Sequence, residues 1–335
     1  MFDFEKEYTK YMLSWDYKPS CVKFWSLVWK SNLSINRKLW SKKYTPKMLF
    51  NELTKYINLE GGTISVDDTV IDKKYSRETK WELLWKFWSW KHKKVVLWIN
   101  LITLFFTDNK WTKIPLTWRV VDKKEWTTKN EYFRDMLSEA LNWWIKPSIV
   151  TFDSWYSSWE NLNYINSLWI DFLCSIKKNR LLSKDIRKYK KIQEYPISEE
   201  WEVLHLKNVW FVKVFKKNGR TYIFKSWSDK SKRKKDWTKK FSTASFHKEH
   251  NTHWGIECFH RAIKQLCCIE KWLFRNKCQI KNHIYFSLRA YCSLEISRTY
   301  NILQNVYFHF HKYLFSNIST FYNSFSLNWL CLTYK

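Results

Sequence analysis

The first half of the chain alternates between apolar runs and polar turns in a pattern that predicts strands. Residues 63–71 and 94–107 are rich in β-branched and apolar side chains, and the second run is long enough to be a buried strand. A polar turn at 108–109 separates this run from residues 114–121, which we expect to pair with it as a hairpin. These segments predict three consecutive strands.

Helical and strand patterns alternate after the hairpin. Residues 128–143 carry apolar side chains at helical spacing, and a second helix is predicted at 160–168. Short apolar runs at 148–152 and 171–176 predict strands on either side of that second helix. Three strands followed by helix, strand, helix and strand match an α/β fold with a ribonuclease H-like core, in which a mixed sheet is flanked by helices. Its βαβ part should be right-handed and parallel.

The regions outside this core differ from it in pattern. The N-terminal residues have a helical pattern, in which Thr45 is predicted to be an N-cap and Pro46 the first helical residue. A strongly basic stretch after the core contains short alternating segments, which predict a β-rich insertion, and a helical pattern then returns. We divide the chain into a helical region at 1–60, a core at 61–180, a basic β-rich insertion at 181–245, a helical part of the core at 246–300 and a tail at 301–335.

The charge of the chain favours a polyanionic partner. Lysine and arginine together number 59 against 31 acidic residues, which gives a formal net charge of +28. Nucleic acid and an anionic membrane are the partners that such a balance indicates. The longest apolar run has only about a dozen residues, whereas a membrane-spanning helix needs roughly 20. The first residues contain acids and no apolar stretch, so we expect no secretion signal and a cytoplasmic protein without a membrane partner.

The cysteines do not point to a metal or disulfide site. The chain contains 8 cysteines, none of which form a C-x-x-C pair, and we expect free thiols in a reducing compartment. A second possible metal site comprises His250, His253, Cys258 and His260, but the spacing of these residues suits no common zinc pattern. Zinc is therefore not the metal that the sequence favours.

The composition is unusual in one respect. The chain has 24 tryptophans and only 4 glycines, although glycine averages about 7% of ordinary proteins. Trp90, Trp111 and Trp126 stand in turn-like segments where glycine is the expected residue. We hypothesise that UGA codons, read as glycine in a lineage with a variant code, have been translated as tryptophan. The alternative is a protein naturally rich in tryptophan, and Trp155 and Trp254 are expected to be genuine in either case.

Three acidic positions are candidates for a metal-binding active site. The first is Asp67 or its neighbour Asp68, at the end of an apolar strand, and the second is Asp153, which also follows a short strand. Glu257 lies on a predicted helix that can pack across the sheet and supply a third carboxylate. Such a group would bind two Mg²⁺ ions, with Mn²⁺ as a substitute, about 3.5–4 Å apart. The alternative, for each acid considered on its own, is an ordinary structural or surface role.

Two acidic motifs resemble those of DDE transposases of the IS4/IS701-like insertion-sequence group. The segment VDDTVIDK is similar to the motif of the first aspartate, in which Asp, one intervening residue and Thr follow an apolar strand, and this favours Asp67 over Asp68. The segment TFDSWYSS is similar to the motif of the second aspartate and carries Asp153. The segment around Trp90 and Trp98 also resembles a strand region of the family in which glycines stand at those positions.

The third motif of the family is matched in part. In the family it reads Tyr, two residues, Arg, three residues, Glu, six residues and Lys. Glu257 and Lys264 have the matching spacing, whereas His250 and His253 occupy the Tyr and Arg positions. The resemblance implies that Glu257 is the third metal ligand and that Lys264, together with the histidines at the other two positions, contacts DNA phosphates.

Further side chains are predicted to contact DNA. Arg261 lies four residues after Glu257 and either pairs with it or binds a phosphate. Trp155 and Tyr156 either stack on an unpaired base at the element end or close the edge of the sheet. Basic segments should bind DNA through its phosphates with an affinity that falls with salt. These segments contain Lys177, Lys178, Arg180, Lys230, Lys232, Arg233, Lys234 and Lys235.

The resemblance implies a DNA transposase. Asp67, Asp153 and Glu257 would hold two metal ions, double-stranded DNA would be cleaved at terminal inverted repeats, and the freed 3′-hydroxyl would attack target DNA. The N-terminal helices would recognise the repeats, and a homodimer would join two ends in a bacterial, nucleoid-associated complex. Two alternatives remain open, namely a catalytically inactive DNA-binding relic or regulator and a ribonuclease H-like nuclease without strand transfer.

Overall fold

The structure of the protein is a computed structural model. It describes residues 3–14, 32–73, 82–89, 93–225, 243–272 and 274–300, as well as positions 24, 27, 28, 306, 307 and 310. Several residues named above lie outside this described part of the chain: Trp90, Lys230, Lys232, Arg233, Lys234 and Lys235.

The strands in the described part of the chain form one 11-stranded sheet. They are β1 (Thr63–Asp72), β2 (Trp85–Ser89), β3 (Lys94–Thr107), β4 (Lys113–Val120), β5 (Ile149–Phe152), β6 (Asp171–Ser175), β7 (Leu181–Ser183), β8 (Lys190–Lys191), β9 (Glu202–Leu206), β10 (Phe211–Lys217) and β11 (Arg220–Lys225). Their order across the sheet is β2, β3, β1, β5, β6, β11, β10, β9, β7 and β8, and β4 also pairs with β3.

The centre of the sheet is mixed. β1 is antiparallel to β3 and parallel to β5, and β5 is parallel to β6. The antiparallel strands come first in the chain, and helices connect the parallel ones. This arrangement confirms the predicted ribonuclease H-like α/β fold. Beyond β6, the strands from β7 to β11 continue the same sheet, because β11 pairs antiparallel with β6.

Local sequence explains where several helices begin. Thr45 caps one helix by accepting a hydrogen bond from the N–H of Met48, and Pro46 is its first residue, as predicted. Thr128 and Glu131 form a reciprocal capping box at another. None of the described helices combines the length and the apolar character needed to cross a membrane. The described helices are α1 (Phe4–Leu13), α2 (Asn32–Ser41), α3 (Pro46–Leu53), α4 (Lys129–Asn142), α5 (Trp159–Ser167), α6 (Thr243–Gln265) and α7 (Lys277–Tyr300).

Helices cover both faces of the sheet. On one face, Phe259 of α6 stacks on Phe105 of β3 with ring centroids 4.7 Å apart. On the other face, Phe133 of α4 packs against Phe152 of β5 with ring centroids 5.9 Å apart. Side chains along a strand alternate between the two faces, so consecutive residues of β1 meet different helices.

Two details differ from the sequence prediction. The helical region predicted at 246–300 consists of two helices, because the chain turns between α6 and α7, where Cys268 has a left-handed φ of 54°. The strands β2, β7 and β8 are not foreseen by the hydrophobic pattern, and β7 and β8, with 3 and 2 residues, are too short to show an alternation. The outermost strand, β8, consists of the exposed Lys190 and Lys191.

Four of the tryptophans that the structure describes adopt a backbone conformation that favours glycine. Trp111, Trp126, Trp144 and Trp169 have φ values of 63°, 55°, 67° and 60°. A bulky residue rarely adopts a positive φ, because its Cβ then crowds the backbone, whereas glycine does so freely. Two of the four, Trp111 and Trp126, are positions at which the sequence already suggests a missing glycine.

Candidate active site

The parallel pairing of β1 with β5 brings two aspartates side by side. The last pair in this ladder joins Val66 to Phe152. Asp67 and Asp153 are the next residues in the two segments, so they follow the ladder on neighbouring strands, which lie about 4.8 Å apart. The register of the sheet therefore places the first two predicted acids next to each other.

Asp67 and Asp153 lie on the face of the sheet that α6 covers. Ser65 of β1 pairs with Phe105, which stacks on α6, and Asp67 is two residues further along the same face. On β5, Thr151 Oγ1 lies 2.8 Å from Ser65 Oγ, and Asp153 comes two residues later. Both carboxylates are therefore directed towards one helix.

Glu257 lies on the stripe of α6 that crosses these two strands. His253, one turn before it, has Nδ1 3.2 Å from Thr151 Oγ1 of β5. His260, about one turn after it, has Nδ1 3.7 Å from Asp67 Oδ2 of β1. Glu257 stands between these two contacts with an exposed side chain. We call Asp67, Asp153 and Glu257 the carboxylate cluster.

The carboxylate cluster concentrates negative charge. Burial raises the pKa of Asp67 to about 8, and the charges of its three acidic neighbours add to this rise. Burial also raises the pKa of Asp153, against opposing hydrogen bonds from the turn that follows it. Partial desolvation of its carboxyl raises the pKa of Glu257, although the side chain is largely exposed, while the nearby Arg220 and Arg261 act in the opposite direction. Carboxylates that resist ionisation in this way form a site that a cation would stabilise.

Asp68 faces the other side of the sheet, where donors satisfy its carboxylate. Its Oδ2 accepts hydrogen bonds from Lys129 Nζ and Asn100 Nδ2, both at 2.7 Å. Its Oδ1 accepts a hydrogen bond from the hydroxyl of Tyr156 at 3.1 Å. We call these four residues the Asp68 network. Of the two adjacent acids, Asp67 is the one that faces the helix of Glu257.

Three histidines of α6, namely His250, His253 and His260, are directed into the protein. Burial lowers the pKa of His253 to about 4 and that of His260 to about 3, so both imidazoles are neutral at pH 7. His250 lies against β11, where its Nε2 is 3.4 Å from the hydroxyl of Tyr222. This placement does not support the predicted phosphate contacts of His250 and His253, because their ring nitrogens meet Tyr222 and Thr151 instead.

Two arginines act on Glu257, and Lys264 lies two turns further along α6 in a different environment. Lys264 Nζ is 3.6 Å from Glu270 Oε1, so the side chain predicted to contact DNA is already in an ion pair. Arg261 is exposed and acts on Glu257 through its charge, which lowers the pKa of the carboxyl. Arg220 of β11 has the same effect on this pKa and is not singled out by the sequence. The Asn-Gly turn just before Arg220 is the signal that could have located it.

Tyr156 is part of the protein interior. It is fully buried, and its ring lies 5.9 Å from that of Phe133 of α4. Its hydroxyl is used by the Asp68 network. Because the ring packs between the sheet and α4, its burial favours the alternative that Tyr156 closes the edge of the sheet over the prediction that it stacks on a DNA base.

Trp155 and two lysines form an exposed rim next to the carboxylate cluster. Trp155 is 53% exposed, and the ammonium groups of Lys129 and Lys177 lie 5.5 and 5.0 Å from its ring centroid. Lys178 is also exposed. Arg180, by contrast, donates a hydrogen bond at 2.9 Å to a backbone carbonyl of the turn. We call Trp155, Lys177 and Lys178 the basic rim; Arg180 braces the turn beside it.

The chemistry of the carboxylate cluster suits a hard divalent cation. Carboxylate oxygens are the ligands that Mg²⁺ and Mn²⁺ prefer. As the side chains stand, no three His, Cys, Asp or Glu residues in the described part of the chain converge closely enough to bind one ion. Asp67 belongs to a strand and Asp153 directly follows one, whereas Glu257 belongs to a helix and has an exposed side chain.

The strand order and the two helix layers define a ribonuclease H-like protein. Within that class, residues 59–293 match the family described as the transposase DDE domain, a span that includes all three acids of the carboxylate cluster. The chain belongs to the transposase DDE domain family.

The chain also resembles solved structures. It is similar to the piggyBac transposase in a synaptic complex with hairpin DNA, with a TM-score of 0.54 and 10% sequence identity over 92% of this chain and 68% of that one. This likeness shows a shared fold. A Drosophila P element transposase strand transfer complex gives a TM-score of 0.28 and 11% identity over 87% of this chain and 64% of that one, which carries no structural argument. No curated protein sequence matches the chain significantly.

Proposed function

We propose that this protein is a DNA transposase of the IS4/IS701-like insertion-sequence group, which cleaves DNA at the ends of its element and joins the freed 3′ ends to target DNA. The observation that supports this most strongly is the placement of Asp67 and Asp153 at adjacent strand positions, facing the helix that carries Glu257. Membership of the transposase DDE domain family agrees with it.

The carboxylate cluster is the proposed metal site. Asp67, Asp153 and Glu257 would hold two Mg²⁺ ions, or Mn²⁺ in their place, whereas Asp68 serves the Asp68 network. When bound, the ions supply activation of the attacking hydroxyl and stabilisation of the leaving oxygen. The contribution of the chain is to hold its carboxylates close together in spite of their repulsion. Burial is the main cause of the raised pKa of Asp67, and repulsion from the neighbouring carboxylates adds to it; positive charge would relieve that repulsion.

DNA is the proposed substrate and partner. A formal net charge of +28 favours binding to phosphates. The basic rim lies beside Asp153, where a DNA strand that enters the carboxylate cluster would pass. The piggyBac structure, which has a similar fold, is a complex with hairpin DNA. We further propose that the helical region at 1–60 recognises terminal repeats and that a homodimer joins two element ends near the nucleoid.

Purified protein mixed with end DNA, a target plasmid and Mg²⁺ tests this function. We expect cleavage at the element ends and joined products on a gel, and we expect both to disappear when the divalent ion is chelated. Cleavage without joining would contradict the transposase proposal and indicate a ribonuclease H-like nuclease instead.

An inactive DNA-binding relic or regulator is the second candidate. It is favoured by the lack, among the residues that the structure describes, of three ligand side chains converging on one point. It is also favoured by the inward-facing His250 and His253 in the third motif. Binding of end DNA with no cleavage at any concentration of Mg²⁺ or Mn²⁺ would establish this candidate instead.

A further inference from the structure

The Asp68 network joins the parts of the fold that carry the carboxylate cluster. Asp68 belongs to β1, Asn100 to β3, Lys129 to α4 and Tyr156 to the turn after β5. We propose that Asp68 is a positioning residue, which fixes the separation of the two aspartates of the cluster and does not bind metal. This inference rests on the proposed function, because a separation matters only if the two aspartates share ions.

Backbone pairing ends just before Asp153. β5 has 4 residues, and its ladder with β1 stops at Phe152. Beyond the end of this ladder, the hydroxyl of Tyr156 donates a hydrogen bond to Asp68 Oδ1 at 3.1 Å. The turn that begins at Asp153 is thereby tied to the strand that carries Asp67.

Other contacts hold the remainder of this turn. The carbonyl of Tyr156 accepts a hydrogen bond from Asn161 Nδ2 at 2.9 Å, and that of Ser157 accepts one from Arg180 at 2.9 Å. These contacts fix the turn to α5 and to the segment after β6. The hydrogen bond from Tyr156 to Asp68 fixes the turn to β1 through side chains. It therefore sets the distance between Asp67 and Asp153, on which binding of a shared ion depends.

The orientation of Asp68 separates it from the carboxylate cluster. It faces α4, whereas Asp67 faces α6, because successive side chains of a strand alternate. Both of its carboxylate oxygens accept hydrogen bonds, and Lys129 Nζ pairs with its charge at 2.7 Å. These interactions suit a residue that holds neighbouring elements in place.

Removing one hydroxyl tests this role. Tyr156→Phe keeps the buried ring, and we expect the Kd for Mn²⁺, measured by titration calorimetry on the DNA-free protein, to rise about 10-fold. The Mg²⁺ concentration for half-maximal cleavage should rise in the same proportion, and high Mg²⁺ should restore cleavage in this variant and in Asp68→Asn. Tyr132→Phe is the matched control, because it removes a hydroxyl that donates to Glu125 at 2.8 Å outside the network, and it should leave the Kd unchanged.

The outcomes separate this role from the proposed function. If the wild type binds Mn²⁺ and cleaves DNA while Tyr156→Phe keeps the wild-type Kd, the positioning role is overturned and the proposed function stands. If no Mg²⁺ concentration restores cleavage in Asp68→Asn, Asp68 is a ligand and the role is again overturned. A wild type that neither binds Mn²⁺ nor cleaves DNA contradicts the proposed function, and the positioning role with it.

A second, independent observation concerns the end of α4. Trp144 follows the helix with a φ of 67°, and its N–H donates to the carbonyl of Leu141 at 3.0 Å. The N–H of Ile145 donates to the carbonyl of Ala140 at 3.3 Å. These two bonds are those of a Schellman motif, in which the left-handed residue after the helix is usually glycine because it has no Cβ.

Three more tryptophans hold comparable positions. Trp169 follows α5, and its N–H donates to the carbonyl of Asn166 at 3.2 Å. Trp126 ends the short 3₁₀ helix Lys123–Glu125, and Trp111 closes the turn between β3 and β4. The indoles project into solvent, with 92% exposure at Trp126 and 71% at Trp169. Such exposure leaves little packing to favour an indole over glycine.

The geometry sorts these tryptophans from genuine ones. We infer that four of them are glycines in the natural protein, encoded by UGA: Trp111, Trp126, Trp144 and Trp169. Trp118 and Trp272 are genuine, because they are only 6% and 3% exposed and fill the core. Trp272 also donates from Nε1 to the carbonyl of Ile269 at 2.6 Å, a bond that glycine cannot make.

Codons and stability both test this inference. We expect UGA at the four positions and UGG at Trp118 and Trp272. Replacing all four with glycine should raise the thermal unfolding midpoint by roughly 5–10 °C, whereas Trp118→Gly should lower it. UGG codons at Trp144 and Trp169, or a quadruple variant no more stable than this chain, would overturn the inference.

Discussion

Asp67 and Asp68 are consecutive residues with opposite surroundings. Asp67 and Asp153 face α6, the helix that carries Glu257, and the pKa of Asp67 is raised to about 8. Asp68 faces α4, where Lys129 and two further donors satisfy its carboxylate. The difference arises because successive side chains of a strand point to opposite faces. It teaches that one strand can present a reactive acid and the support for that acid one residue apart.

The two faces also differ in what they contribute to stability. On the α4 face, the charge of Asp68 is paired and each of its carboxylate oxygens accepts a hydrogen bond, which stabilises the folded chain. On the α6 face, the burial of the Asp67 charge and its repulsion by neighbouring acids oppose folding, a penalty that functional sites commonly carry. Substitutions on the two faces should therefore separate activity from stability.

The largest expected effect is on catalysis at the α6 face. Asp67→Asn and Asp153→Asn should each reduce end cleavage on the order of 10³-fold, because each removes a charged oxygen from the proposed metal site. DNA affinity in a gel-shift assay should stay close to that of the wild type, since the amide has the same size. Cleavage at the wild-type rate by either variant would remove that residue from the mechanism.

The next effect is a gain of stability on the same face. The pKa of Asp67 in the folded chain, about 8, lies above its ordinary value of 3.8, so its contribution to stability is complete below about pH 4 and is lost as the pH rises towards 8. Asp67→Asn should therefore stabilise the metal-free protein at pH 8.5 by roughly 2–4 kcal/mol and have little effect at pH 4. Urea unfolding at both pH values measures this difference. An equal gain for Asp68→Asn would contradict the contrast between the faces.

On the α4 face we expect a loss of stability. Asp68→Ala should lower the free energy of unfolding by roughly 3 kcal/mol, because it leaves Lys129 and the hydroxyl of Tyr156 without their acceptor. Glu60→Ala is the control, since the side chains of Glu60 and Lys146 are 71% and 65% exposed and an ion pair this exposed contributes little to stability. Similar losses in the two variants would show that the Asp68 network contributes no more to the free energy of unfolding than an exposed ion pair does.

The smallest effect concerns the basic rim. Replacing Lys177 and Lys178 with alanine should weaken binding to end DNA and reduce the slope of log affinity against log salt by about 2. Replacing Lys190 and Lys191 of β8 removes the same charge far along the sheet and is the matched control. If both double variants lose affinity equally, net charge rather than the rim accounts for the binding.

Much of the fold could be predicted because it depends on neighbouring residues. The apolar run at 94–107 and the turn after it specify a hairpin, and Thr45 and Thr128 mark helix starts through hydrogen bonds to residues close in sequence. The position of Asp153 follows from the short apolar strand before it. These signals lie within a few residues of the feature that they predict.

The remainder depended on contacts between distant segments. Whether Asp67 or Asp68 faces the third acid is decided by which helix covers each face, and the pattern of the strand does not contain that choice. The burial of Tyr156 needs Phe133 and Asp68, which other elements supply. The influence of Arg220 on Glu257 arises only because β11 joins the core sheet beside β6.

The far end of the sheet has a consequence for how copies of the chain meet. β8 consists of two exposed lysines paired with β7. An edge strand so short and so charged offers few free backbone groups to an incoming strand and repels an identical edge. If copies gather on DNA as we propose, this edge protects them from strand addition, which would otherwise turn a local assembly into an aggregate.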